Sequence, residues 1–189
     1  MTPKQVERVK NKIKKIKSAL SADKKYWGGH YHDGQGLRYI PPQLYIQIDD
    51  FSGGLRYLNW FDKNFSDDSC YPDFLYEWTF ILFKTKRLNE AKKKAFLLFC
   101  SDNDLFNKIV GQGNSTISDK EFSSSYINEL KNKESLSDFK IWLDKLTTTE
   151  NFTLLCDKYV DIKKKLQTVK DEETEEYLRK QLEQLKNGL

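Results

Sequence analysis

No apolar run in the 189 residues approaches the roughly 18 that a membrane-spanning helix requires, and the opening stretch MTPKQVERVKNKIKK lacks the apolar core of a signal peptide. Both observations lead to the expectation of a cytoplasmic protein with no membrane segment, in which the sequons at Asn64, Asn114 and Asn151 carry no weight. Cysteine is scarce. Cys70, Cys100 and Cys156 lie far apart with no CxxC pair, which argues against a disulfide framework and leaves reduced structural thiols as the expectation. Nine glycines and four prolines are few breakers for so many Lys-, Leu- and Glu-rich segments, so helices are expected rather than strands. His30 and His32 are the only histidines. Even with Asp33 beside them a transition metal would be short of its usual ligand number, and neither a metal nor a cofactor is expected.

Charge and aromatic bulk are what the chain does have. Charged residues make up 32% and aromatics 14%, enough ring volume for a core in an otherwise polar sequence. The basicity is local: residues 1–25 hold nine Lys or Arg against Glu7 and Asp23, a charge of +7, which leaves −3 for the remainder of a chain of net +4. Within that segment Val6, Val9, Ile13, Ile16 and Leu20 step by three and four, predicting an amphipathic helix from Pro3 to Leu20 with lysines over its other faces. A stripe of Val, Ile and Leu without large aromatics is expected to dock on the chain's own domain rather than on a membrane.

From Tyr26 to Ile40 the run YWGGHYHDGQGLRYI carries four glycines in nine residues and reads as an ordered loop. Its Gly34-x-Gly36 follows no predicted strand and has no third glycine, so a dinucleotide loop is not expected. A short helix over Pro42 to Ile48 follows, since proline is accommodated in a first turn. The stretch from Pro72 to Asn103 then shows two apolar periodicities, Phe74, Leu75, Trp78, Ile81 and Leu82, and after a turn at 84–87, Leu88, Ala91, Ala95 and Leu98. Phe51, Gly54, Leu58 and Phe61 precede the second set at a constant offset of 37 residues. Further on, a helix capped by Ser118 or Asp119 holds Phe122, Tyr126, Ile127 and Leu130, and another opened by SLSDF holds Phe139, Trp142, Leu143 and Leu146. Glu150 to Leu189 reads as one long helix or as a hairpin broken near Asp171.

Trp78, Leu82, Leu88, Ala91, Ala95 and Leu98, with RLNEA between the two helices, resemble the packing residues and turn of a tetratricopeptide repeat. The pattern departs from that family at Thr79, at the first helix shortened by Pro41 and Pro42, and in lacking a closing proline. The resemblance implies an all-α fold of antiparallel helix pairs, two degenerate repeats within 26–112, with the docked basic helix 1–25 and the C-terminal helices 113–189 as caps. It also implies a non-enzymatic scaffold for a protein or peptide, with a groove at Gln43, Ile46, Gln47, Asp73, Tyr76, Phe80, Phe83 and Lys84. Tyr76, Phe80 and Phe83 share a face turned away from Trp78, and packing by flanking helices accounts for them at least as well as an open groove.

Motifs of catalysis were sought beside this. GxSxG, a P-loop and HExxH are all missing. The doublets Asp49-Asp50 and Asp67-Asp68 fall where helix caps and turns are expected, so no catalytic residue is assigned. The rival function is nucleic-acid binding by the basic N-terminal helix and the KTKRLNEAKKK cluster. Against it stand the acidic balance elsewhere and lysines without interleaved arginine.

Overall fold

A computed structural model describes residues 1–111 and 136–188. The helix expected from Ser118 or Asp119 lies outside them. The described residues form nine α-helices and one 3-10 turn with no strand, and neighbouring helices pack as pairs. None of these helices is long and apolar enough to cross a membrane. Two compact units divide the chain, Met1–Leu88 and Asn89–Leu189, so the stretch assigned above to one repeat core is shared between them.

In the first unit, α1 (Pro3–Tyr26) starts at a capping box of Thr2 and Gln5 and runs six residues past Leu20. It ends where Gly28, at φ 66°, and Gly29 close the helix through Gly29 N–H to Lys24 C=O (2.8 Å) and Gly28 N–H to Lys25 C=O (3.4 Å). Ile13, Ile16 and Leu20 are buried in a cluster with Leu44, flanked by Val9, Tyr45 and Trp60. The helix is docked through its apolar stripe, as expected. A 3-10 turn (Leu37–Tyr39) leads into α2 (Pro41–Gln47), then α3 (Phe51–Asn64) and α4 (Pro72–Lys84).

Two helix ends use the same closure as α1 without glycine. At the end of α2, Asp49 (φ 55°) lets its own N–H reach Ile46 C=O (3.2 Å) and the Asp50 N–H reach Tyr45 C=O (3.0 Å). At the end of α4, Lys86 (φ 63°) allows Lys86 N–H to Phe83 C=O (3.0 Å) and Arg87 N–H to Leu82 C=O (2.9 Å). Left-handed backbone at a non-glycine residue has a steric cost. Both positions tolerate it because the following helix starts within a residue or two, making the turn too short for any other closure.

Helix α4 is buried at every position from Phe74 to Leu82, the condition of a helix apolar on nearly all faces. Helix α3 approaches it through small residues. A Cβ on Gly54 would lie 2.9 Å from Ile81 Cδ1 and 3.3 Å from Tyr45 Cβ, which is the close contact expected of that position.

The second unit contains α5 (Leu88–Ser101), α6 (Asn103–Ile109), α7 (Ser137–Thr147), α8 (Glu150–Thr168) and α9 (Glu172–Asn187). Its rings meet edge-on or stacked: Phe99 with Phe106 at 5.6 Å, Phe106 with Phe152 at 5.9 Å, and Phe99 with Tyr159 at 6.0 Å. The Tyr159 hydroxyl donates to Cys100 C=O. The segment read as one helix or two is a hairpin, because Val169 turns to extended backbone and Asp171 caps α9 by accepting from Thr174 N–H at 2.8 Å. Helix α7 starts at Ser137 with Leu136 at its N-cap, which makes no side-chain cap bond, so Ser137 of SLSDF is the first helical residue and not the cap.

Gly53 gives a test of the α2–α3 approach. A Cβ there would sit 2.6 Å from Tyr45 Cε1 and also meet the Asp50 carboxylate. Helix propensity favours Ala over Gly by about 1 kcal/mol, while overpacking a filled site costs about 1–3 kcal/mol. The expected outcome for Gly53→Ala is a net loss of stability, read as a lower denaturation midpoint in urea.

Candidate functional site

The loop between α1 and α2 is tied at both ends by carboxylates. Asp23 of α1 accepts from the backbone N–H of His32 (2.8 Å) and of Asp33 (3.1 Å). Asp33, only 6% exposed, accepts from Leu37 N–H (2.9 Å), Arg38 N–H (3.0 Å) and Arg38 Nη1 (3.0 Å). Both oxygens of the group considered above as a metal donor are therefore engaged in holding the loop. Among the described residues no group of three or more His, Cys, Asp or Glu is placed to hold a metal ion.

Arg38 bridges the loop to the α3–α4 connection. Its Nε donates to Asp68 Oδ2 (2.9 Å), its Nη2 to the Tyr39 hydroxyl (2.8 Å), and that hydroxyl donates to the same Asp68 oxygen (2.6 Å). Tyr57 donates to Arg38 C=O at 2.8 Å. Burial raises the Asp68 carboxyl pKa, but the bonds from Tyr39, Cys70 N–H and Arg38 outweigh it and hold the group below the ordinary carboxylate range. Asp50, in the other acidic doublet, caps α3 by accepting from Gly53 N–H at 2.8 Å. These carboxylates work in caps and turns.

The eight positions assigned to a groove differ sharply in exposure. Ile46 (0%), Tyr76 (2%) and Phe80 (0%) are buried, Gln43, Gln47, Phe83 and Lys84 are half-buried, and Asp73 is exposed. Phe80 meets the Phe51 ring edge-on at 5.6 Å, and Lys84 Nζ lies over both rings, 5.6 Å from Phe51 and 5.9 Å from Phe80. The Tyr76 face is thus core in this structure, and a peptide has no access to Ile46, Tyr76 or Phe80. Packing takes these aromatics because the apolar faces of a small helical unit must be covered.

One functional group escaped the sequence reading. Pro41 and Pro42 have no N–H, so the first backbone donor of α2 belongs to Gln43, and the buried Glu77 of α4 hydrogen-bonds the Gln43 backbone. Burial, reinforced by the nearby Asp73 and only partly offset by that bond, pushes the Glu77 carboxyl well above the usual range. Glu77 sits between apolar neighbours at a position that periodicity assigns to no particular face, so no local signal marked it.

A cleft of about 460 Å³ runs along α1. It is lined by Lys10, Ile13, Lys14, Lys17, Ser18, Ser21, Tyr45 and Asp50. Ile13 and Tyr45 are its apolar lining, the three lysines beside them are exposed, and Asp50 adds an acidic residue to the same lining. Among the described residues none of the three lysines is in an ion pair.

Two titrations test this reading of the carboxylates. Asp68, with its folded pKa depressed, contributes stability that is full above its unfolded pKa of about 4 and is lost as pH falls through the folded value. Asp68→Asn is expected to lower the melting temperature at pH 7, with the difference closing in acid. Glu77 has the opposite sign: its unfolded form ionises above about pH 4 while the folded form keeps its proton, so stability falls as pH rises. Glu77→Gln is expected to gain on the wild type as pH rises above about 4, as seen by melting curves at acid and neutral pH. Compared with family models, curated proteins and solved structures, the chain finds no match in any of the three.

Proposed function

We propose that this chain is a non-catalytic helical scaffold, tetratricopeptide-like in its helix pairs, that binds a protein or peptide partner in the cleft along α1. The cleft carries the reading: an apolar floor of Ile13 and Tyr45 under a polar rim is the arrangement by which grooves receive an amphipathic helix. The repeat character is supported by α3 and α5, which have 14 residues each and begin 37 residues apart, at Phe51 and Leu88. It is also supported by the close approach at Gly54 and by full burial of Ala91 and Ala95. A non-catalytic role fits the structural engagement of Asp33, Asp50 and Asp68. A reducing cytoplasmic setting suits the free cysteines, where burial pushes both the Cys100 and Cys156 thiols up to about 12.

Immobilised full-length chain, exposed to nuclease-treated extract, is expected to retain a protein partner saturably at one site per chain. Retention that disappears with nuclease treatment, or no retained protein, would overturn the scaffold reading. Truncating Tyr76 is not a test of binding: with the side chain 2% exposed, Tyr76→Ala opens a core cavity at a cost of about 3–5 kcal/mol.

A further inference from the structure

We infer that the α1 cleft is built for an acidic amphipathic helix, whose carboxylates meet Lys10, Lys14 and Lys17 while its apolar side chains rest on Ile13 and Tyr45. The inference depends on the scaffold reading and names the partner's chemistry. On α1 these lysines fall at i, i+4 and i+7, within about 60° of one another and over roughly 10 Å of axis. Glu or Asp at the same spacing on a partner helix presents charge at the same intervals, with apolar neighbours on the adjoining face.

A second triplet, Arg8, Lys12 and Lys15, has the same spacing and the same charge and is equally exposed. It sits on the opposite flank of α1, outside the cleft. Apart from Arg8 in place of a lysine, the two triplets differ in that only Lys10, Lys14 and Lys17 line the cleft with Ile13 and Tyr45, so the cleft can add apolar contact to charge at the first alone. Asp50 decides between peptide and polyphosphate. Its carboxylate belongs to the same lining as the lysines and is held by its cap on α3, which disfavours a continuous phosphate chain. A helical peptide can turn a donor toward it. The lining also contains no arginine, the side chain suited to bidentate phosphate recognition.

The experiment uses the full chain and a fluorescent peptide of about 16 residues, some 24 Å long as a helix, with Glu at i, i+4 and i+7 beside a Leu face. A control peptide carries Gln for each Glu. By anisotropy at low salt the Glu peptide is expected to bind and the Gln peptide to bind about tenfold more weakly or worse. Lys10→Glu/Lys14→Glu/Lys17→Glu is expected to cost about tenfold or more, and Arg8→Glu/Lys12→Glu/Lys15→Glu less than about threefold, because only long-range attraction is lost there. All six positions are exposed, and circular dichroism melts verify that both variants stay folded. With the peptide, any of three results would overturn the inference: no binding of the Glu peptide, equal loss in the two variants, or displacement of the peptide by an oligonucleotide that binds more tightly; a fourth comes from extract. If the cleft variant still retains the nuclease-resistant partner from extract as well as wild type does, the acidic-helix assignment fails and the scaffold reading stands.

Discussion

The first unit depends on how closely α3 can lie against its neighbours, and two glycines set that distance. Gly53 and Gly54 face Tyr45 on one side and Ile81 on the other, where any side chain would collide with a filled core. Asp50, three residues before Gly53, closes α2 through its backbone N–H and caps α3 through its carboxylate. One residue thus serves two helix ends in a turn with no room for a separate cap. The same geometry brings Tyr45 and Asp50 out beside α1, so the cleft is a consequence of the elbow and not an addition to it.

Polar groups hold what the elbow leaves open. The glycine-rich loop is anchored twice over, by Tyr31, Leu37 and Ile40 packed against the α1–α2 cluster and by Asp23, Asp33 and the Arg38 bridge to Asp68. Partial burial matters here. With side-chain exposures of 21% for Arg38 and 1% for Asp33, the pair is shielded from solvent far more than a surface ion pair, yet each charge has several hydrogen bonds to offset its desolvation. In the second unit ring packing takes that part, with Phe96, Phe99, Phe106, Phe152 and Tyr159 in mutual contact.

The surface left for binding under the proposed reading follows from the same division of labour. The aromatics Tyr76 and Phe80 are consumed as core, since each small unit must bury a large fraction of its apolar surface to be stable. Basic side chains cannot be used that way. They remain at the surface of α1, and where they border Ile13 and Tyr45 they frame a site with both charge and apolar contact.

Much of this was legible in the residues. Periodicity located the helices, and the stripe at Ile13, Ile16 and Leu20 foretold how α1 docks, although the helix runs on to Tyr26, past the end read at Leu20. Such features are local: they follow from 3.6 residues per turn. The left-handed Asp49 and Lys86, the burial of Tyr76 and Phe80, the Glu77 bond to the Gln43 backbone and the pairing of Arg38 with Asp68 had no local signature. Each joins parts of the chain that only packing brings together, or depends on the length of a turn between two helices. Sequence determined the all-helical class and the sign of the charge on α1, because both are sums over neighbouring residues. Which of the two equally spaced cation triplets borders a cleft was decided by tertiary structure alone, because it depends on where α2 and α3 lie against the helix.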